Sequence, residues 1–275
     1  MKIKKIYLYD NKKQIWRLIP TDTKKLVIEE RDIEKKQVYF SCIHSESGKK
    51  IFKNFQLDEK FWIGIETIYK DVIYFHKFVK PDMPQHKGII AFNLSKQKVL
   101  WQNDDQNFLF VYDDKLYCYQ QNFESRNYFI LNYATGQIAK DIGCSVEKIN
   151  ELRKKAANSD DYSSYHFPQT FYSQKEPDNG GKNFLLNLRN QYVISGNIEF
   201  VALNNMILFN FHEAAEAGFL RNVFKAVDLS TGKYILEEVL ISKTTSYVPD
   251  SFFVKDDLLF LLIEKTRLGV YRIPD

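Results

Sequence analysis

Apolar and polar residues alternate along this chain in short runs, and the same run keeps returning. Residues 225–238 read as a strand, a tight turn at Ser230-Thr231-Gly232, and a second strand. Near copies begin at Cys42, Ala91, Ile130 and Leu185. Each copy has an apolar residue, then His44, Asn93, Asn132, Asn187 or Asp228, then a turn ending at Gly48, Gln97, Gly136, Gln191 or Gly232. This is hairpin chemistry: an Asx side chain can bond the turn backbone, and glycine takes a positive φ without steric cost. Two of the five copies carry glutamine where the others carry glycine, so turn geometry must vary there.

A second signal lies between these hairpins. At 22–32, 70–78, 113–121, 204–213 and 255–265 a polar turn leads into a dense apolar strand, and another strand precedes each. One unit is therefore strand, tight turn, strand, longer loop, strand, tight turn, strand. Four antiparallel strands in roughly 45 residues match a β-propeller blade. A β-sandwich also uses short strands, but it has no reason to repeat one four-strand unit with the same turn chemistry.

The apolar second strands begin near Leu26, Val72, Leu116, Met206 and Leu258. The step from Leu116 to Met206 is double the usual one, and it predicts a degenerate unit with strands at 164–174 and 184–196. The expected fold is all-β: a single propeller domain over 1–275 with six four-stranded blades, closed by the N-terminal strand completing the last blade. One segment departs from the pattern. Residues 145–158 predict an inserted helix, with Ser145 as its N-cap and Val146, Ile149, Leu152 and Ala156 on one face. A covering role over a blade edge fits its short apolar stripe better than partner docking.

The Asx-x-x-[Ser/Thr]-Gly motif at 228–232 and 132–136, with Trp101 soon after a turn, resembles the quinoprotein-like propeller repeat. The whole chain, with its start around Trp16, resembles an uncharacterised bacterial propeller family of unknown function. The resemblance implies the fold and little chemistry. Quinone-cofactor enzymes of the class carry adjacent cysteines and a calcium site, and they are exported. Here no two cysteines are adjacent and no acidic run has calcium-loop spacing. No cofactor is expected.

Charge narrows the choice of partners. The 39 basic and 35 acidic side chains are interleaved and leave a net +4. That is a mixed solvated surface, so nucleic-acid binding is not expected. The N-terminal run lacks an apolar stretch of signal-peptide length, and no run reaches the ~18 apolar residues of a membrane span. Cys42, Cys118 and Cys144 are widely spaced and form no CxxC pair. The expected setting is the cytoplasm, with no membrane association.

Candidate chemistry gathers in the loops joining second to third strands, at 76–88, 120–127, 173–183 and 212–222. His76 and His212 each follow an apolar second strand, and imidazole titrates near neutrality. With Glu213 they form the candidate catalytic set of a hydrolase or lyase, the alternative to a non-catalytic binding module. Residues 212–216 fall short of a metalloprotease helix, because Glu216 stands where a second histidine is needed. A site could combine His212, Glu213 and either His76 or His86, but no metal ligand set is assigned. Lys80, His86, Arg126, Glu216 and Arg221 are the candidate contacts for a protein or small-molecule partner on the long-loop face. No nucleophile elbow or phosphate-binding loop is present in the sequence. The Asp pairs at 104–105, 160–161 and 256–257 sit in turn contexts and read as solvated turn formers.

Overall fold

The computed structural model describes residues 2–80, 83–159, 161–172 and 181–274. Its strands form five antiparallel sheets in two compact units. One unit comprises residues 15–45 and 49–161, and the other comprises residues 1–14, 46–48 and 162–275.

The unit spanning 15–161 holds three sheets of four strands, each in simple chain order. The first is β1 (Gln14–Pro20), β2 (Lys25–Asp32), β3 (Gln37–His44) and β4 (Lys50–Phe55). The second is β5 (Ile63–Tyr69), β6 (Val72–Lys80), β7 (Met83–Asn93) and β8 (Lys98–Asn103). The third is β9 (Asn107–Tyr112), β10 (Lys115–Gln121), β11 (Arg126–Asn132) and β12 (Ile138–Gly143). Strand β6 shows why its run is so apolar: both of its faces are buried. Ile73 and Phe75 pack with Val27, Phe40 and Phe92, while Val72 and Tyr74 pack with Leu116, Cys118 and Leu131. Helix α1 (Val146–Ser159) follows the third sheet. The Ser145 hydroxyl accepts from Lys148 N at 3.4 Å, which is the N-cap bond. Ile149 is buried with Tyr117 and Tyr128, Leu152 packs beside them, and Val146 stays exposed.

The second unit holds two sheets of five strands. One runs β13 (Lys4–Asp10), β22 (Arg267–Arg272), β21 (Leu258–Ile263), β20 (Phe252–Lys255) and β14 (Tyr165–His166). The N-terminal strand thus lies antiparallel to the last one, with Leu8 opposite Gly269. The other runs β15 (Gln169–Thr170), β16 (Ile194–Leu203), β17 (Met206–Ala214), β18 (Leu220–Asp228) and β19 (Lys233–Thr244). Leu208, Phe224, Leu240, Phe252, Leu259 and Tyr271 form the core between these sheets.

The expectation of six blades closed into a propeller is corrected. Five sheets are present among the described residues, and none closes on itself. The segment expected to hold the sixth blade is divided differently. Its two shortest strands, β14 and β15, add one edge each to the two sheets of this unit. Residues 181–191 form helix α2 (Gly181–Gln191) in place of a strand and its turn. The reason is spacing: Leu185 and Leu188 lie three apart and Tyr192 follows four later. This stripe packs on Ile198, Phe209 and Phe211 as one helix face. Strand periodicity would have put Leu185 and Leu188 on opposite faces.

The hairpin chemistry holds in the copies at Asn93, Asn132 and Asp228. Asn132 Oδ1 accepts from Ala134 N and Thr135 N, both at 3.0 Å, and Asp228 Oδ1 accepts from Ser230 N at 2.9 Å. Asn93 Oδ1 accepts from Lys96 N at 2.7 Å, and Gln97 takes the glycine place with a φ of 52°.

Candidate functional site

Two polar clusters, one in each unit, hold the histidines singled out from sequence at 76, 86 and 212. The first lies on β5, β6 and β7. His76 is opposite Gly64 on β5, and His86 is opposite Phe78 on β6. Between Ile65 and Thr67 the register of β5 slips by one, so Glu66 is the extra residue of a bulge. Bulges re-aim side chains, and here Glu66 meets both histidines. Its Oε1 is 2.7 Å from His86 Nδ1 and 3.1 Å from His76 Nδ1. The two imidazoles stack, with centroids 3.4 Å apart and planes at 7°. Phe78 stands edge-on to both rings, at 5.1 Å and 5.6 Å. His76 is buried, Glu66 is mostly buried, and His86 is half exposed.

Despite its proximity to Glu66, neither ring nitrogen of His76 has a hydrogen bond of good geometry among the described residues. Burial raises the Glu66 carboxyl toward its neutral form, but the two histidines outweigh that, and the group ends below the usual carboxylate range. Space for the His76 ring comes from Gly64: a Cβ there would lie 2.9 Å from both Cε1 and Nε2 of the ring.

The second cluster lies on β16 and β17. Glu199 faces Asn210 across the two strands. Together with Thr170, His212, Tyr247 and Pro249 they line a recess of about 260 Å³. Asn210 donates to Asn222 Oδ1 at 3.1 Å, and Asn222 donates to Ser251 Oγ at 3.2 Å. Two acceptors are left over: among the described residues, Asn210 Oδ1 and Glu199 Oε2 are buried without a hydrogen-bond donor. Burial pushes the Glu199 carboxyl above its ordinary range, opposed in part by the Asn210 side chain. His212 Nε2 accepts from Val248 N at 3.1 Å, so this imidazole is neutral, with its proton on Nδ1. Burial also lowers its pKa. Tyr247 packs edge-on to the His212 ring and shares a hydrogen bond with Ser195 Oγ at 3.1 Å.

The residues singled out from sequence divide between these places. His76 and His86 meet in the first cluster, and His212 lines the second. Glu213 follows His212 on an extended strand, so the two side chains point to opposite faces. Glu213 instead binds Arg221, its partner across β17 and β18, through Arg221 Nε at 2.8 Å. Glu216 is exposed in a short 3-10 turn (Glu216–Gly218) on an open groove shared with Arg221, Phe219 and Lys243. Arg126 covers the Tyr119 ring at 4.5 Å and donates to Gln121 Oε1 at 3.0 Å. Lys80 ends β6, and its side chain lies outside the described residues, as do residues 173–180 of the third long loop. Sequence reasoning missed Glu66, Glu199 and Asn210. The signal for Glu66 was a break in strand alternation. Glu199 and Asn210 are polar residues inside apolar strands.

Residues 19–101 match the profile of a domain of unknown function, DUF4905. That is less than a third of the chain. A search of curated proteins returns no match. Among solved structures, the chain resembles KlAtg21 in its complex with the coiled coil of AgAtg16, at 8% identity and a TM-score of 0.30, over 91% of this chain and 67% of that one. It resembles the Dos1 propeller at 9% identity and a TM-score of 0.31, over 94% and 67%. It resembles TolB from Acinetobacter baumannii at 10% identity and a TM-score of 0.29, over 94% and 54%. The chain thus spans about two thirds of the first two structures and about half of the third. The resemblance to propeller-fold proteins is distant, and none of these matches identifies the quinoprotein-like repeat.

Proposed function

We propose that this chain is a non-catalytic binding module and that the recess between β16, β17 and Tyr247 takes a small ligand carrying N–H donors. The observation that carries the reading is the pair of buried acceptors, Glu199 Oε2 and Asn210 Oδ1, facing across neighbouring strands without donors of their own among the described residues. An unmet buried acceptor costs ~1–3 kcal/mol, and a ligand donor would recover it. The volume of about 260 Å³ suits a molecule of aromatic-ring size. Tyr247, Val248 and Pro249 supply an apolar wall. The raised carboxyl of Glu199 favours a cationic donor, which would draw it to its charged form. A cytoplasmic setting belongs to this proposal and is supported by three free thiols. Among the described residues no helix is long and apolar enough to cross a membrane.

Ligand-observed NMR with benzamidine and its neutral counterpart benzamide tests the reading. Saturation transfer to benzamidine that is lost in Asn210→Leu supports it. No transfer to either probe from the folded protein sinks it. Glu199→Gln is expected to remove the preference for the cation while keeping the amide bound.

A further inference from the structure

We propose that Glu66, His76 and His86 form a binding site for a divalent transition-metal ion of the zinc class. The site is independent of the recess described above, and its residues come from three neighbouring strands of one sheet. The three ligand atoms already lie within 4.8 Å of one another. Imidazole nitrogens are borderline ligands, and two of them beside one hard carboxylate suit zinc, cobalt, nickel or copper better than calcium or magnesium.

His86 Nδ1 and Glu66 Oε1 already share a hydrogen bond at 2.7 Å, and four further features of the site suit an ion. The first is the condition of His76. It is buried, its Nδ1 is 3.1 Å from a carboxylate oxygen, and yet neither nitrogen makes a hydrogen bond of good geometry among the described residues. A nitrogen aimed near a carboxylate but off the hydrogen-bond line is placed as a metal ligand would be. The second is the bulge at Glu66, which breaks the β5 ladder and puts the carboxylate at the histidines. The third is the support around the rings. Gly64 lets the His76 ring lie against the backbone, and Phe78 walls both rings edge-on. Such packing holds a ligand's orientation, as good metal sites require. The fourth is access. His86 is half exposed, so an ion can reach the site and keep solvent or an outside group in its fourth position.

The geometry also says what binding would change. With metal–ligand bonds near 2.0–2.2 Å, tetrahedral ligand atoms stand roughly 3.3 Å apart. The Glu66 contacts of 2.7 Å and 3.1 Å therefore need to open by less than ~1 Å. The imidazole lone pairs lie in the ring planes, and planes at 7° cannot aim both at one ion. His76 is buried against Gly64 and His86 is half exposed, so His86 is the ring that swings out of the stack. Zinc binding is then a local rotation of one half-exposed side chain against two fixed ligands.

The test uses the full chain without a histidine tag, stripped with chelator and titrated with Zn²⁺ by calorimetry and with Co²⁺ by visible absorption. The expected result is one equivalent bound with a Kd of about a micromolar or tighter, and the ligand-field bands of a tetrahedral cobalt site. His86→Gln and Glu66→Gln are each expected to weaken binding by at least about tenfold and to bleach those bands. His166→Gln, at an exposed histidine on β14, is expected to leave both unchanged. His86 is half exposed, so its variant keeps the fold, which a circular dichroism melt checks. Absence of a saturable equivalent in the parent overturns the proposal. So does binding that is unchanged in His86→Gln and Glu66→Gln, because the metal would then sit elsewhere.

Discussion

Gly64 has no side chain where the His76 ring needs the room. A methyl there would lie 2.9 Å from two ring atoms. Gly64→Ala is expected to cost ~1–3 kcal/mol through overpacking, read by urea denaturation. A neutral result would mean that the ring moves freely and is not held. Glu199 makes a pH prediction. Its folded pKa lies above the unfolded value, chiefly because burial disfavours the charge. Its contribution is therefore most favourable below the unfolded pKa and is lost as pH rises through the folded one. Glu199→Gln should be more stable than the parent at pH 8, with the gap closing toward pH 4. Denaturation midpoints at several pH values check this, and a gap that widens on acidification would contradict it. The thiols behave alike for the same physical reason. Cys42 and Cys118 are buried, and burial pushes both up to about 12, so they hold little reactive thiolate. Ellman's reagent should titrate one fast thiol, Cys144, in the native protein and three after unfolding.

At the scale of single elements, the repeated hairpin turns on a left-handed residue. Gly136 has a φ of 71°, and a Cβ there would sit 2.5 Å from the Trp101 ring. It therefore satisfies both a backbone and a packing demand. Gly136→Ala should cost at least about 1–2 kcal/mol from the backbone alone. Gln97 holds the same place one hairpin earlier with a φ of 52°. Gln97→Gly is expected to raise stability by up to about 1 kcal/mol, partly offset by the freer unfolded chain. Thermal melts of both variants decide it, and opposite signs are the expected outcome. These turns were legible because Asn132, Asp228 and Gly232 carry their conformation in local chemistry. Gln191 fits the same series by its sequence position, yet it ends α2. Asn187 has no glycine after it, and Leu185, Leu188 and Tyr192 follow a helical period that a five-residue motif overlooks.

At the scale of the whole chain, the first and last strands share one sheet. Residues 4–10 cover the edge of β22, and Ile3 enters the core with Tyr271 and Ile273. Deleting residues 2–11 should expose that edge and lower the melting temperature by roughly 5 °C or more. Calorimetry and light scattering check it, and an unchanged melt would show that the pairing contributes nothing.

What this sequence determined by itself was local: strand and turn alternation, the Asx-Gly hairpins, the Ser145 cap and the helix behind it. Each depends on residues a few positions apart, so a linear reading contains the whole cause. The placing of β14 and β15 on the edges of two different sheets was decided only by tertiary packing. Edge strands of two residues carry no pattern of their own. The two polar clusters were likewise tertiary. His76 and His86 were visible as histidines, but Glu66 joins them through a one-residue slip in register. Glu199 and Asn210 become a pair only when β16 and β17 align. Register is a property of two strands together, and no single stretch of chain encodes it.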